Sequence, residues 1–184
     1  MLIEPAPASN HSAGAARLLL IEPNRSALDV LAKRLGELGY RLIACESADS
    51  AIAEMHRAPV DLVLAELRMA PMSGVELTRL IRDDTALKDT PVILITGKTD
   101  SAGAVEGFAA GAEDVVAKPF HFEVLAARIA RRIARARSVK ELHHDNAALD
   151  ARVVTRSIEL GEIRAAFERS EAERLRLEQL VSRG

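Results

Sequence analysis

Four polar side chains, each placed at the end of a short apolar run, are the residues of this sequence that could form a chemical site. Glu22 follows LLLI, Glu66 follows VDLVLA, Thr96 closes PVILIT, and Lys118 closes the run that begins near Ala112. A carboxylate at the end of a buried strand is desolvated unless a charge partner meets it. Lys118 is the candidate partner of Glu66, so the sequence predicts a small polar site with internal charge neutralisation.

Alternating strand and helix patterns must position this site. Apolar runs predict strands over 18–21, 42–44, 60–65, 91–96 and 112–117, and helical spacing predicts helices over 27–38, 47–56, 73–82 and 101–110, with a fifth helix starting near residue 120. Short connections between them predict a parallel sheet with helices on both faces. Functional groups gather at the carboxyl ends of the strands in such sheets, where all four polar residues fall.

Composition limits the functional classes. The chain of 184 residues has a net charge of −2, which gives no overall basic surface for nucleic acid, and its 3% aromatic content predicts an aliphatic core. Its one cysteine, Cys45, excludes an intramolecular disulfide, suits a reducing compartment and is expected to be a small core residue. No signal peptide is recognisable and no apolar run approaches the roughly 20 residues of a membrane span. These features predict a cytoplasmic protein with no membrane partner.

Residues 17–136 resemble the receiver domain of response regulators in two-component, or phosphorelay, pathways. The resemblance rests on the segments LLLIEPNRSAL, VDLVLAELRMAPMSGVEL, TPVILITG and GAEDVVAKPF, of which the last, with its Lys-Pro pair, is the most specific. It implies a flavodoxin-like (CheY-like) doubly wound α/β fold with five parallel strands in the order 2-1-3-4-5, plus a long C-terminal helix. The expected organisation is a disordered leader over 1–16, a receiver domain over 17–136 and a helical, coiled-coil extension over 137–184.

The resemblance also implies roles for individual residues. In working receivers an acid pair binds Mg²⁺, an aspartate accepts a phosphoryl group from a histidine kinase, and a hydroxyl group and a lysine contact the phosphoryl oxygens. By position, the acid pair falls on Glu22 and Pro23 and the acceptor on Glu66. The hydroxyl falls on Thr96 and the lysine on Lys118.

Three departures from this pattern predict a degenerate site, or pseudo-receiver. Pro23 has no side-chain oxygen for a metal, and Val115 occupies the position of an aromatic switch residue. Glu66 is longer than aspartate by one methylene, about 1.5 Å, and a misplacement near 1 Å can cost about 100-fold in phosphoryl transfer. We therefore expect no catalysis and no cofactor, with Glu22 and Glu66 as a weak candidate site for Mg²⁺.

Two roles for Glu66 remain open from the sequence. In the first, its carboxylate reaches toward Lys118 and Thr96 and partly imitates the charge of a phosphoryl group. In the second, it only satisfies Lys118 in a relic site. Either arrangement makes the domain a phosphorylation-independent interaction module.

The C-terminal extension has a broken 3-4 apolar spacing. Apolar residues at this spacing are Leu149, Val153, Leu160, Ile163, Phe167, Leu177 and Val181, and polar residues intrude at Asn146, Arg156, Ser170 and Arg174. The pattern predicts a coiled coil that makes a homodimer, with a frayed helix as the alternative.

Other clusters in the sequence predict no further site. The arginines 128, 131, 132, 135 and 137 are interpreted as a solvated face, and the pair His143–His144 lacks further metal ligands. The expected partners are proteins of a two-component pathway, either a histidine kinase or an output protein, and nucleic acid is not expected. Two alternatives stay open: the regulatory receiver of a longer enzyme, such as a cyclic-dinucleotide phosphodiesterase or cyclase, and an RNA-binding antiterminator-like regulator.

Overall fold

The computed structural model describes residues 15–181 and contains one five-stranded parallel sheet. The strands are β1 (Arg17–Ile21), β2 (Arg41–Cys45), β3 (Leu62–Glu66), β4 (Val92–Gly97) and β5 (Asp114–Lys118). They lie in the order β2-β1-β3-β4-β5. The predicted α/β class and strand order are confirmed.

Five helices connect and follow the strands. They are α1 (Arg25–Glu37), α2 (Ala48–Arg57), α3 (Gly74–Asp83), α4 (Ser101–Ala109) and α5 (Phe122–Val181). The first four begin at side-chain N-caps, namely Asn24, Ser47, Ser73 and Asp100. Glycines with positive φ, Gly39 at 88° and Gly111 at 98°, follow α1 and α4, where a left-handed turn ends each helix.

The core has one layer on each face of the sheet, because alternate strand residues point to opposite faces. One layer contains Leu19, Val63 and Leu94, which pack with α2 and α3. The other contains Leu20 and Leu64, and this second face is covered by α1 and α5. The buried residues of both layers are almost all aliphatic, as the composition predicts, and Cys45 is buried in the first. Three partly buried aromatic side chains, Tyr40, Phe120 and Phe122, pack against the second.

Two strands begin two residues later than the sequence predicts, and the other strand boundaries agree to within one residue. β3 begins at Leu62 instead of Val60. β5 begins at Asp114 instead of Ala112, because the Ala112 N–H donates to the Gly107 carbonyl at 3.0 Å and so still belongs to the end of α4. Apolar runs alone cannot mark these boundaries, since the flanking residues are apolar too.

The chain divides into two compact units, Met1–Ala136 and Arg137–Gly184. Of the predicted leader, only Ala15 and Ala16 lie within the described residues, and the Ala16 carbonyl accepts from the Arg41 N–H at 2.9 Å. Between residues 15 and 181, none of the helices has both the length and the apolar character needed to cross a membrane.

Candidate functional site

The carboxyl ends of the strands bring the predicted polar residues to one edge of the sheet. Glu66 and Lys118 are the last residues of β3 and β5, Thr96 is the last but one residue of β4, and Glu22 follows β1 directly. The parallel register pairs Glu66 with Ile95 and Thr96 with Ala117, so β3, β4 and β5 end at nearly the same height. Glu22 and Thr96 are buried there, with 5% and 2% of their surface exposed.

Lys118 lies between two carboxylates. Its Nζ donates to Glu66 Oε2 at 2.6 Å and to Glu22 Oε2 at 2.9 Å. The second oxygen of Glu22, Oε1, accepts from the Asn24 N–H at 3.0 Å. Both distances from Nζ are typical of charge-assisted hydrogen bonds. One ammonium group therefore serves two carboxyl groups in this cluster.

Burial, and the sharing of one cation between two acids, determine the pKa shifts in this cluster. Burial raises the pKa of the Glu66 carboxyl, and the bond from Lys118 opposes that rise without cancelling it, while neighbouring Glu22 adds to it. Burial alone would lower the pKa of Lys118, but the hydrogen bonds to Glu22 and Glu66 outweigh it, and the Lys118 pKa is raised. The surroundings therefore stabilise the charged form of Lys118 and disfavour the charged form of Glu66.

Thr96 is not part of this cluster. Its Oγ1 donates to Asp100 Oδ2 at 3.4 Å, and no hydrogen bond joins it to Glu66. The expectation that Glu66 reaches toward both Lys118 and Thr96 therefore holds for Lys118 only. The physical reason is that the Glu66 carboxylate accepts from Lys118, while the Thr96 hydroxyl donates to Asp100.

Sequence reasoning missed a second ion pair, Arg68–Asp100, at the rim of the site. Arg68 Nε donates to Asp100 Oδ2 at 2.6 Å and Arg68 Nη2 donates to Asp100 Oδ1 at 2.9 Å. Asp100 Oδ1 also accepts from the Gly103 N–H at 2.9 Å as the N-cap of α4. The Arg68 guanidinium, followed by the Gly103 N–H, lowers the pKa of Asp100 to about 2. A capping aspartate can be anticipated before a helix, but its arginine partner leaves no local signal.

The remaining predicted residues lie around the site without joining it. Pro23 is exposed, and Val115 is half-buried and packs against the core layer that contains Leu94. Arg128 and Arg132 bond to Asp114 at 3.0 and 3.3 Å, so two of the five clustered arginines are used inside the fold.

In the part of the chain that the structure describes, no group of three or more His, Cys, Asp or Glu side chains is arranged to hold a metal ion. His143 and His144 both lie exposed on α5.

Comparison with known proteins gives the family. The response regulator receiver domain family matches residues 18–130, more than half of the chain. The chain belongs to this family. It is 34% identical over 127 residues to the transcriptional regulatory protein YvrH of Bacillus subtilis, an alignment that covers 68% of this chain and 52% of YvrH.

Two further matches show how far the similarity extends. A Vibrio cholerae protein described as "Probable cyclic di-GMP phosphodiesterase" is 30% identical over 149 residues, which cover 81% of this chain and 34% of that protein. The crystal structure of the Vibrio cholerae chemotaxis protein CheY4 matches with a TM-score of 0.60 and 26% identity, covering 64% of this chain and 98% of CheY4. The chain spans between 34% and 61% of the length of curated relatives such as these.

Proposed function

We propose that this receiver is a phosphorylation-independent interaction module in a two-component pathway. The observation that carries the proposal is the Lys118 ammonium, which is bonded at 2.6 and 2.9 Å to two carboxylates of its own chain. In a working receiver this lysine contacts the incoming phosphoryl group. Here the Glu66 carboxylate takes the place of the phosphoryl group as the anionic partner of Lys118. Lys118 therefore has an anionic partner without any phosphodonor.

Acceptor chemistry at Glu66 is disfavoured by its own contacts. Its Oε2 accepts the short bond from Lys118, which lowers the nucleophilicity of that oxygen, and its extra methylene displaces the carboxylate relative to an aspartate. Phosphoryl transfer depends on positioning and charge neutralisation, so both effects act against it.

The side chains around Glu66 do not fit Mg²⁺. Both oxygens of Glu22 are already acceptors, one for Lys118 and one for the Asn24 N–H. Pro23 contributes no oxygen, and the Lys118 ammonium lies between the two carboxylates that would have to bind the ion. Mg²⁺ requires near-octahedral oxygen coordination, and this arrangement offers an ammonium group in the same place.

A phosphodonor experiment tests the proposal directly. The full chain is incubated with Mg²⁺ and acetyl phosphate, or with beryllofluoride, and adducts are sought by intact-mass and NMR spectroscopy. We expect none on the natural sequence or on Glu66→Asp alone, because Pro23 still leaves the metal site incomplete. The double variant Pro23→Asp/Glu66→Asp is the positive control and should regain an adduct. A Mg²⁺-dependent adduct on the natural chain would overturn the proposal.

The C-terminal unit supports a second part of the proposal, homodimerisation through α5. The large apolar side chains that the structure describes beyond residue 137 are all exposed, from 44% for Val139 to 67% for Leu160. The heptad pattern that includes Leu149 and Leu160 also extends back to Leu142 and Val139, which lengthens the predicted seam. The predicted seam positions Leu177 and Val181 lie outside the side chains that the structure describes.

We propose a second copy of the same helix as the partner of this seam. In the family such helices either link a receiver to an output domain or pair two receivers. An amphipathic helix of this length gains most of its stability from packing its apolar face. A second copy presents the same apolar face in the same register of heptads. The polar residues Asn146 and Arg156 then weaken the pair but help fix its register.

One alternative has an observation of its own. The alignment to the Vibrio cholerae protein covers 149 residues, more than the receiver match over 18–130, yet only 34% of that protein. This favours a chain that regulates a linked phosphodiesterase-type domain through α5. Sequencing the gene past the codon for Gly184 discriminates the two proposals, and nothing in residues 15–181 specifically favours the antiterminator alternative.

A further inference from the structure

The Arg68–Asp100 ion pair joins two loops on either side of the site. Arg68 lies two residues after Glu66, in the loop that follows β3, and Asp100 caps α4 in the loop that follows β4. The guanidinium meets the carboxylate through two hydrogen bonds, at 2.6 and 2.9 Å, in the bidentate geometry that gives such pairs their directional character. A weaker contact at 3.6 Å links Arg68 to Glu106 on the same helix. The loop after Glu66 is therefore tied to the first turns of α4.

Two glycines of α4, Gly103 and Gly107, allow the helix backbone to lie close to its neighbours. A Cβ on Gly103 would lie 2.5 Å from Asp100 Oδ2 and 2.6 Å from Arg68 Nη2, so the ion pair packs directly against the helix backbone. One turn later, a Cβ on Gly107 would lie 2.9 Å from Leu94 Cδ1 and 3.3 Å from Val115 Cγ2. α4 therefore lies close to the ion pair at Gly103 and close to the sheet at Gly107, and neither position has room for a larger side chain.

The Thr96 hydroxyl depends on the same pair. Its distance of 3.4 Å to Asp100 Oδ2 is long for an O–H···O bond, so this contact alone does not hold either group. Asp100 is fixed by Arg68 and by the Gly103 N–H. The position of the Thr96 acceptor is therefore set by Arg68.

We propose that Arg68 and Asp100 are positioning residues that keep the Thr96 hydroxyl apart from Glu66 and fix the first turn of α4. The Arg68–Asp100 pair holds the Thr96 hydroxyl away from the Glu66 carboxylate, to which the hydroxyl would otherwise donate a hydrogen bond. The site is then held in one arrangement, with Glu66 balanced by Lys118 but uncoupled from Thr96. This goes beyond phosphorylation independence, because it concerns which state of the site the chain adopts at rest.

The first experiment measures the mobility of α4. Amide hydrogen exchange is followed by NMR spectroscopy on the full chain for Arg68→Ala and Asp100→Asn, the latter retaining an N-cap acceptor. We expect the amides of Gly103 and Ala104 to exchange faster by up to about fivefold, the range of an exposed ion pair.

The matched control is Arg57→Ala. Arg57 forms a more exposed pair with Glu54 on α2, in which one nitrogen, Nη2, donates to both carboxylate oxygens at 2.6 Å. It should leave exchange in α4 unchanged, and Arg68→Lys should restore part of the protection. Equal exchange in Arg68→Ala and Arg57→Ala would overturn the positioning role.

The second experiment detects the coupling between Thr96 and Glu66. The side-chain carboxyl ¹³C signal of Glu66 is recorded with and without Thr96→Val, in the natural background and in Arg68→Ala. We expect no shift of that signal in the natural background and a clear shift in Arg68→Ala, where the hydroxyl is released. A shift of equal size in both backgrounds would show that Thr96 already contacts Glu66 and would overturn the proposal. No phosphodonor is present, so the result does not depend on whether Glu66 can be phosphorylated.

Discussion

The first turns of α5 and its later turns carry the same kind of apolar spacing but have opposite environments. Leu125 and Ile129 are fully buried against the sheet and Ile133 is 5% exposed, whereas Leu142 and Leu160 are 64% and 67% exposed. Helical periodicity predicts an apolar face equally well in both regions. The difference is that the receiver unit covers the apolar face of the first turns, whereas the described apolar side chains of the later turns stay exposed. The homodimer proposal applies to this exposed face.

The largest expected effect contrasts two leucines of this one helix. Leu125→Ala removes a fully buried side chain and should lower the free energy of unfolding of the receiver unit by about 3 kcal/mol. Leu142→Ala is the matched control and should change it by less than about 0.5 kcal/mol. Urea denaturation followed by circular dichroism and by NMR signals of the sheet measures both. Similar losses for the two variants would contradict the division of α5 into a core face and an interface.

The second prediction concerns the charge cluster inside the receiver unit. Lys118→Met leaves the carboxylates of Glu22 and Glu66 without their cation, and breaking such a buried pair is costly. Since Lys118 is 40% exposed, we expect a loss of about 2 kcal/mol at neutral pH, below the range for fully buried pairs. Lys140→Met, an exposed lysine of α5, is the control. A loss below about 0.5 kcal/mol would show that water, not Lys118, compensates the two acids.

The sequence predicts contacts that the strand ends determine, but not contacts between flexible side chains that lie far apart in the sequence. The parallel sheet and the meeting of Glu66 with Lys118 follow from the apolar runs, since parallel strands place their carboxyl ends together. The strand order was implied by the resemblance to receiver domains. The second bond of Lys118, to Glu22, was within reach of the same reasoning. The Arg68–Asp100 pair was not, because its members are 32 residues apart and each side chain has an ordinary local role. Long-range contacts of flexible side chains leave no periodic pattern.

The third prediction tests the interface itself. Leu160→Glu places a charge in the apolar seam of α5 and should raise the dissociation constant of the dimer about tenfold or more, without lowering the stability of the receiver unit. Ile158→Glu is the matched control, because Ile158 is also exposed, at 59%, but lies off the heptad seam. Sedimentation equilibrium of the full chain measures the change. If the natural chain is monomeric at all concentrations tested, the dimer proposal fails.

The smallest expected effect is the pH dependence that Glu66 adds to the receiver unit. Burial raises the folded-state pKa of Glu66 above its ordinary value of 4.5. Above 4.5 the folded state therefore binds more protons than the unfolded state, and the contribution of Glu66 to stability is lost as pH rises through the folded pKa. Glu66→Gln removes this titration and leaves Lys118 paired with Glu22 at 2.9 Å.

Glu66→Gln should accordingly be as stable as the natural chain near neutral pH, or more stable by less than about 1 kcal/mol, and should lose less stability as pH rises from about 4.5 to about 7. Urea denaturation across that range measures the difference, with Glu37→Gln on the surface of α1 as the control. A variant that is less stable than the natural chain by more than about 1 kcal/mol at neutral pH would contradict it. Glu66 would then be a stabilising partner of Lys118. That result would favour the interpretation of Glu66 as a residue of a relic site over its interpretation as a substitute for the charge of a phosphoryl group.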